Sequence, residues 1–361
     1  MLVQAITVSV ALLVAYANGA NDVSKGVATL VGSGVTEARR AIGWGTAWTA
    51  AGALAGAFAA TALARTFGAG LLTPGTTPTL VAALATIVAA ATWVILATFT
   101  GLPVSTTHAL IGALSGVAAF AYGIDHVRWS AVLGNIAVPL VASPVVAIAA
   151  TTLILRLRPA AAPVSDCVCV ATTAAAPAGA VGAAVVVACE RACNDASLEG
   201  IITVTRLHWL TSGATSFARG MNDAPKIAAI VLGASLVDGR ALSSLGVFAL
   251  VATGMVAGSL LSGLRVTRVL AEDVTRMDHH EGFVANLVTS LLVGSGAVLG
   301  MPMSTTHVST AAIAGAGLAR PQPSVTTKTL RDLALAWIVT LPASALIGVL
   351  LFAAFRQIVS H

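Results

Sequence analysis

"GLPVSTTHAL", residues 101–110, lies in a stretch without charge: no Asp, Glu, Lys or Arg occurs from Thr66 to Ile124. A glycine and a proline interrupt it, and three hydroxyls and a histidine follow. Nearly the same phrase, "GMPMSTTHVS", returns at 300–309. A second pair of phrases, "GANDVSK" (19–25) and "GMNDAPK" (220–226), shares the pattern G-x-N-D-x-x-K. Asn21 and Ser105 stand 84 positions apart, and Asn222 and Ser304 stand 82 apart. Two motifs in the same order at nearly the same separation mark an internal duplication. The first repeat covers 1–158 and the second 205–361, joined by a linker at 159–204.

Composition places both repeats in a membrane. The 361 residues are 57% hydrophobic and 9% charged, with mean hydropathy +0.92, whereas soluble domains are about a quarter charged. Uncharged segments near 2–20, 41–64, 80–122, 131–155, 241–264, 282–319 and 333–355 approach or exceed the ~20 apolar residues that span a bilayer. "AYA" at 15–17 resembles a signal-peptide cleavage site, but no Lys or Arg precedes it. Residues 2–20 therefore read as a retained helix. The net charge of +5 is a topology signal rather than a nucleic-acid face, because the basic residues sit between apolar spans.

Counting crossings tests the duplication. If 80–122 is a hairpin broken at Pro103, each repeat crosses an odd number of times, and the second is inverted. One face then receives Arg39, Arg40, Arg156, Arg158, Arg191, Arg206, Arg265, Arg268, Arg276, Arg320, Lys328 and Arg331. The other receives only Arg65, Arg128, Arg240 and Arg356. The basic face is cytoplasmic by the positive-inside rule, so both termini are expected outside. The fold class expected is an all-α integral membrane protein of two inverted-topology repeats with broken helices and re-entrant or membrane hairpins.

Inverted repeats with interrupted helices are an architecture of secondary transporters, which bind substrate near the midplane. Ser105, Thr106 and Thr107 begin a half-helix whose free N–H groups and positive dipole end favour an anion. Ser304, Thr305 and Thr306 supply the same donors from the other side. Two facing donor nests suit a small tetrahedral oxyanion. Asp22 and Asp223 are intramembrane carboxylates, which are costly and mark ion pathways. Beside an anion they call for a cation, either Na+ held with Asn21 and Asn222 or a proton. Lys25 and Lys226 lie three residues after each Asp, on the same helical face, as ion-pair partners or substrate contacts. His108 and His307 read as hydrogen-bonding residues or as a proton relay.

Cys167, Cys169, Cys189 and Cys193 all fall near the middle of the chain. Four cysteines can bind Zn, but C-x-C and C-x-x-x-C are not the usual C-x-x-C spacing. Reduced thiols in a cytoplasmic linker are the reading preferred. "MDHHEG" (277–282) holds metal-capable residues, yet on the cytoplasmic face it reads as a solvated loop.

G-x-N-D-x-x-K with P-x-S-T-T-H, each present twice, resembles the inorganic phosphate transporter (PiT) family across both repeats. That resemblance implies an inverted-repeat fold, often dimeric, with phosphate bound between the hairpin tips and coupling to Na+ or H+. It implies phosphate contacts from Ser105, Thr106, Thr107, Ser304, Thr305 and Thr306, and cation contacts from Asn21, Asp22, Asn222 and Asp223. Asn18 against Arg219 and Ser24 against Pro225 break the match between repeats.

The function expected is import of inorganic phosphate across the plasma membrane by cation symport. No cofactor, catalytic residue or nucleic-acid partner is expected, and the lipid bilayer is the setting. A sulfate or other oxyanion transporter is the nearest alternative. A passive anion channel, disfavoured by the paired Asp residues, and an intramembrane hydrolase using Ser105 and His108 are the others.

Overall fold

The computed structural model describes residues 2–68, 71–157, 167–171, 184–188, 200–237, 242–272, 277–321, 325 and 327–360. In the first repeat α1 (Leu2–Asp22) and α2 (Ser24–Gly32) are parted only by Val23. Then come α3 (Ala38–Ala59), α4 (Thr61–Gly68), α5 (Leu80–Thr100), α6 (Thr106–Tyr122) and α7 (Trp129–Ala131). A π-helical stretch, Val132–Ala137, leads into α8 (Val138–Arg156). The second repeat has α9 (Val204–Val237), α10 (Ser244–Ser262), α11 (Leu264–Glu272), α12 (His279–Val298), α13 (Thr305–Ala319) and α14 (Thr327–Ser360).

Among the described residues, six helical segments are long and apolar enough to cross a bilayer: Leu2–Gly32, Leu80–Thr100, Trp129–Arg156, Ser244–Ser262, His279–Val298 and Ala334–Val359. Helix α9 has 34 residues, about 51 Å at 1.5 Å per residue, enough to cross although it carries Arg219, Asp223 and Lys226. The radial distribution of polarity is that of a membrane protein. Phe58, Leu153, Leu261, Leu291 and Ile338 are exposed, while Asn18, Asn21, Asp22, Lys25, Arg219, Asn222, Asp223 and Lys226 are buried.

The repeats interleave instead of forming two bodies. Helix α1 packs on α10 and α9 on α3; α6 packs on α14 and α13 on α8. Each contact is the mate of another when repeat is matched to repeat. The glycine that opens each G-x-N-D motif makes the first pairing close. A Cβ on Gly19 would strike the Met255 backbone, and one on Gly220 would strike the Thr49 backbone. Small residues at such crossings let membrane helices pack by backbone contact.

Three local features depart from the sequence reading. The 41–64 segment is not one straight span: α3 and α4 meet at 82°, with Ala60 at φ −115° and ψ 36° at the corner. No Gly or Pro occupies that corner. Helix α4 turns to pack on α9 and α12, so tertiary contacts set the bend. The linker contains β1 (Cys167–Ala171), β2 (Ala184–Ala188) and β3 (Gly200–Thr203), antiparallel in the order β2-β1-β3. Residues 277–282 open a helix: Asp278 caps α12 and Glu281 closes a capping box. Glu281 also pairs with Arg320 through two hydrogen bonds of 2.7 and 2.6 Å. Among the described residues no three His, Cys, Asp or Glu gather as a metal site; Cys189 and Cys193 lie outside those residues.

Candidate functional site

Both hairpins turn by the same local chemistry. Helix α5 ends with Gly101 at φ +79°, the Leu102 N–H on Ala97 O and the Gly101 N–H on Thr98 O. Helix α12 ends with Gly300 at φ +73°, the Met301 N–H on Gly296 O and the Gly300 N–H on Ala297 O. This is the Schellman stop, in which a left-handed residue, best a glycine, closes the last carbonyls. The proline two residues on cannot resume a helix. Ser105 and Ser304 then cap α6 and α13, their hydroxyls accepting the His108 and His307 N–H at 3.2 Å each.

The two turns meet tip to tip. Ser304 Oγ donates to Ser105 Oγ at 2.9 Å. Thr306 Oγ1 donates to Val104 O at 2.8 Å, and Thr107 Oγ1 to Met303 O at 3.3 Å. These last two bonds join matching positions of the repeats, so the contact is reciprocal. Ser105, Thr106, Thr107, Ser304, Thr305 and Thr306 are all buried there.

The Asn-Asp pairs pack against the tips. Asn21 Nδ2 donates to Thr98 Oγ1 and to Leu102 O at 3.0 Å, while its Oδ1 accepts the Val104 N–H at 3.2 Å. Asn222 Nδ2 donates to Met303 O at 2.9 Å and to Asp223 Oδ1 at 2.9 Å. Asp22 Oδ2 accepts from Thr106 Oγ1 at 3.0 Å. Lys25 pairs with Asp22 at 2.6 Å, and Lys226 stands 3.4 Å from Asp223 while donating to Thr107 Oγ1 at 2.7 Å. Ser24 Oγ donates to the Asn21 carbonyl at 2.8 Å beside the break at Val23. Its counterpart Pro225 lies inside an unbroken α9.

Two residues that the sequence marked only as mismatches are central. Asn18 Nδ2 bridges the two carboxylates, 2.7 Å from Asp22 Oδ2 and 3.1 Å from Asp223 Oδ2. Arg219, at the matching position, is wholly buried, and its Nε, Nη1 and Nη2 have no hydrogen-bond partner. The signal for both was their place three residues before each Asn-Asp pair's Asn. Trp337 carried no signal, yet it stacks on His307 at 4.1 Å, and His307 lies 4.2 Å from the His108 ring. His108 Nδ1 approaches Ser105 Oγ at 2.9 Å. That pair has the contact a hydrolytic nucleophile needs, but the same hydroxyl is engaged as helix cap and as partner of Ser304.

Thr98 connects this centre to a cavity of about 630 Å³ whose walls include Tyr16, Ser262, Arg265 and Arg268. Gly101 packs beside Val269 and Arg265 at one end of the site, and Gly300 packs beside Ala62 at the other. Thus the predicted hydroxyl, Asn-Asp, lysine and histidine groups converge on one buried centre.

A probable low-affinity inorganic phosphate transporter of Mycobacterium bovis is 29% identical over 348 residues, covering 95% of this chain and 75% of the relative. A protein of the same description from Rhizobium meliloti is 28% identical over 350 residues, covering 96% of this chain and 94% of its own. Among solved structures, a sodium-dependent phosphate transporter superposes with a TM-score of 0.81 at 23% identity, over 99% of this chain and 100% of that one; at that identity the match speaks for the fold. The model of the phosphate transporter family matches residues 18–348, which hold both pairs of motifs. This multi-pass membrane protein belongs to the phosphate transporter family.

Proposed function

We propose that the chain imports inorganic phosphate across the plasma membrane by symport with a cation, Na+ or H+. The observation that carries this reading is the tip-to-tip contact of Ser105 and Ser304 at 2.9 Å. It sets the N-termini of α6 and α13, with their Thr hydroxyls, around one point. Phosphate binds there between the two nests of donors, contacting Ser105, Thr106, Thr107, Ser304, Thr305 and Thr306. Asn21, Asp22, Asn222 and Asp223 supply the cation side of the site. Lys25 and Lys226 balance the carboxylates, and His108 and His307 brace the capping serines.

The names of the relatives support phosphate as the substrate, and the sodium dependence of the solved neighbour supports Na+ as one coupling ion. Electrostatics requires coupling: HPO4²⁻ entering a negative interior is opposed by about 4.6 kcal/mol per 100 mV. Two monovalent cations offset that cost, and a third makes uptake voltage-driven. With the repeats inverted, the first tip closes toward the cytoplasm and the second toward the outside. The cavity beside Arg265 and Arg268 is then the cytoplasmic vestibule, and its positive charge draws the anion inward. Both termini face outward, and the linker is cytoplasmic.

Sulfate is the second reading. Sulfate cannot donate a hydrogen bond and HPO4²⁻ can, so the acceptors Asp22 and Asp223 beside the tips favour phosphate. Radiolabelled phosphate uptake into proteoliposomes, with Na+ and pH gradients imposed separately, tests the assignment. Accumulation under one of the gradients is expected, with weak competition by sulfate. Absence of uptake under either gradient contradicts it.

A further inference from the structure

Each repeat places a lysine three residues after its aspartate, yet the two ammonium groups are held differently. Lys25 is wholly buried. Its Nζ lies 2.6 Å from Asn21 Oδ1, 2.6 Å from Asp22 Oδ1 and 2.8 Å from the Asn21 carbonyl. An ammonium has three N–H donors and no acceptor, so three oxygens satisfy it completely. A carbonyl freed at a helix break, with an amide oxygen and a carboxylate beside it, is also the oxygen set that holds a monovalent cation in a transporter. The Lys25 nitrogen stands at the centre of that set, and an entering ion would have to displace it.

The second repeat reaches its positive charge by another route. Lys226 Nζ reaches both tips, 2.7 Å from Thr107 Oγ1 of the first repeat and 3.0 Å from Met303 O of its own. It does not touch Asn222, whose Oδ1 has no partner. Arg219 adds a second cation one helical turn before Asp223 and within the field of both carboxylates. Three fixed cations, Lys25, Lys226 and Arg219, thus face two carboxylates, Asp22 and Asp223, before any ion enters.

We infer that this chain carries its own counter-cation: the Lys25 ammonium fills the monovalent-cation seat of the first repeat, so an anion is held beside Asp22 without Na+. This rests on the reading of the hairpin tips as the phosphate site and deepens it. A tethered ammonium does not dissociate, so this repeat contributes no Na+ to the transport stoichiometry. Removing the side chain leaves a buried seat of three oxygens open to a free ion.

The test is exchange of radiolabelled inorganic phosphate across vesicles preloaded with unlabelled phosphate, which needs no gradient, in NaCl and in choline chloride. Exchange by the natural chain in the two salts sets the reference, which includes any Na+ held at Asn222 and Asp223 of the second repeat. Lys25→Ala is expected to fall about tenfold or more in choline, because it strands a buried carboxylate, and to recover severalfold in Na+. Thermal unfolding in detergent without phosphate supplies a second readout. Na+ is expected to raise the midpoint of Lys25→Ala by about 2 °C or more beyond its effect on the natural chain, through binding to the folded state. A Lys25→Ala variant that responds to Na+ no more than its parent, in both readouts, overturns the inference. Lys25→Asn, which offers an amide oxygen in place of the ammonium, carries the same comparison should Lys25→Ala not fold. Failure of the phosphate reading looks different: no exchange in either salt, with the unfolding arm still reporting on the seat.

Discussion

Ser304 donates a hydrogen bond to Ser105 across 2.9 Å, although 199 positions of chain separate the two residues. Each serine is also the cap of a half-helix, so one contact both ends two turns and joins two repeats. Replacing either serine by alanine removes a cap, which costs about 1 kcal/mol, and a donor at the proposed anion site. Phosphate affinity, measured by binding to the purified protein, should fall about tenfold for each variant, equivalent to 1.4 kcal/mol. Unchanged affinity in both would remove the tips from the binding site.

Asp22 and Lys25 form a buried ion pair at 2.6 Å, and breaking such a pair from one side costs about 3–5 kcal/mol. Asp22→Asn and Lys25→Met should each lower stability by that order, and the double variant by less than their sum. A double-mutant cycle from denaturant unfolding measures the difference. Strict additivity would show that the two charges do not depend on each other. Asp223→Asn should abolish coupled uptake, and normal phosphate accumulation by that variant would contradict its role.

Gly220 lies against the Thr49 backbone, whereas a Cβ on Gly233 of the same helix meets nothing within 4 Å. Gly220→Ala should therefore destabilise by about 1–3 kcal/mol through overpacking. Gly233→Ala should be neutral or stabilising by up to about 1 kcal/mol, from helix propensity. Thermal unfolding of the two variants side by side checks the contrast, and equal effects would undo the account of how α3 and α9 approach.

The motif pairs were legible because chemistry selects particular residues there: glycine for a left-handed stop, serine for a cap, Asn-Asp for a polar centre. Their spacing is the ground on which a duplication is expected. The interleaving of the repeats was not legible, since α1 packs on α10 rather than on its own repeat's α3 through Gly, Ala and Val, which are common everywhere in this chain. Nothing at Ala60 foretold the 82° corner, because contacts with α9 and α12 make it. The strands at 167–171 and 184–188 have no alternation of polar and apolar residues to announce them. Asn18 was legible only as a mismatch with Arg219; its bridge between Asp22 and Asp223 exists only once α1 and α9 are side by side.

Orientation is open to direct labelling. Glu37 precedes α3 and Asp125 follows α6, and both are exposed. On a background with the four native cysteines replaced, Asp125→Cys should react with a membrane-impermeant thiol reagent in intact cells. Glu37→Cys should react only after permeabilisation. The reverse pattern would invert the assignment of the basic face to the cytoplasm.

The most direct test of the central claim is oxidative cross-linking of Ser105→Cys with Ser304→Cys on the same cysteine-free background, with and without inorganic phosphate. A disulfide should form readily in the empty protein, and phosphate seated between the tips should slow it. Failure of the two positions to cross-link, or a rate indifferent to phosphate, would contradict a substrate site built where the hairpins meet.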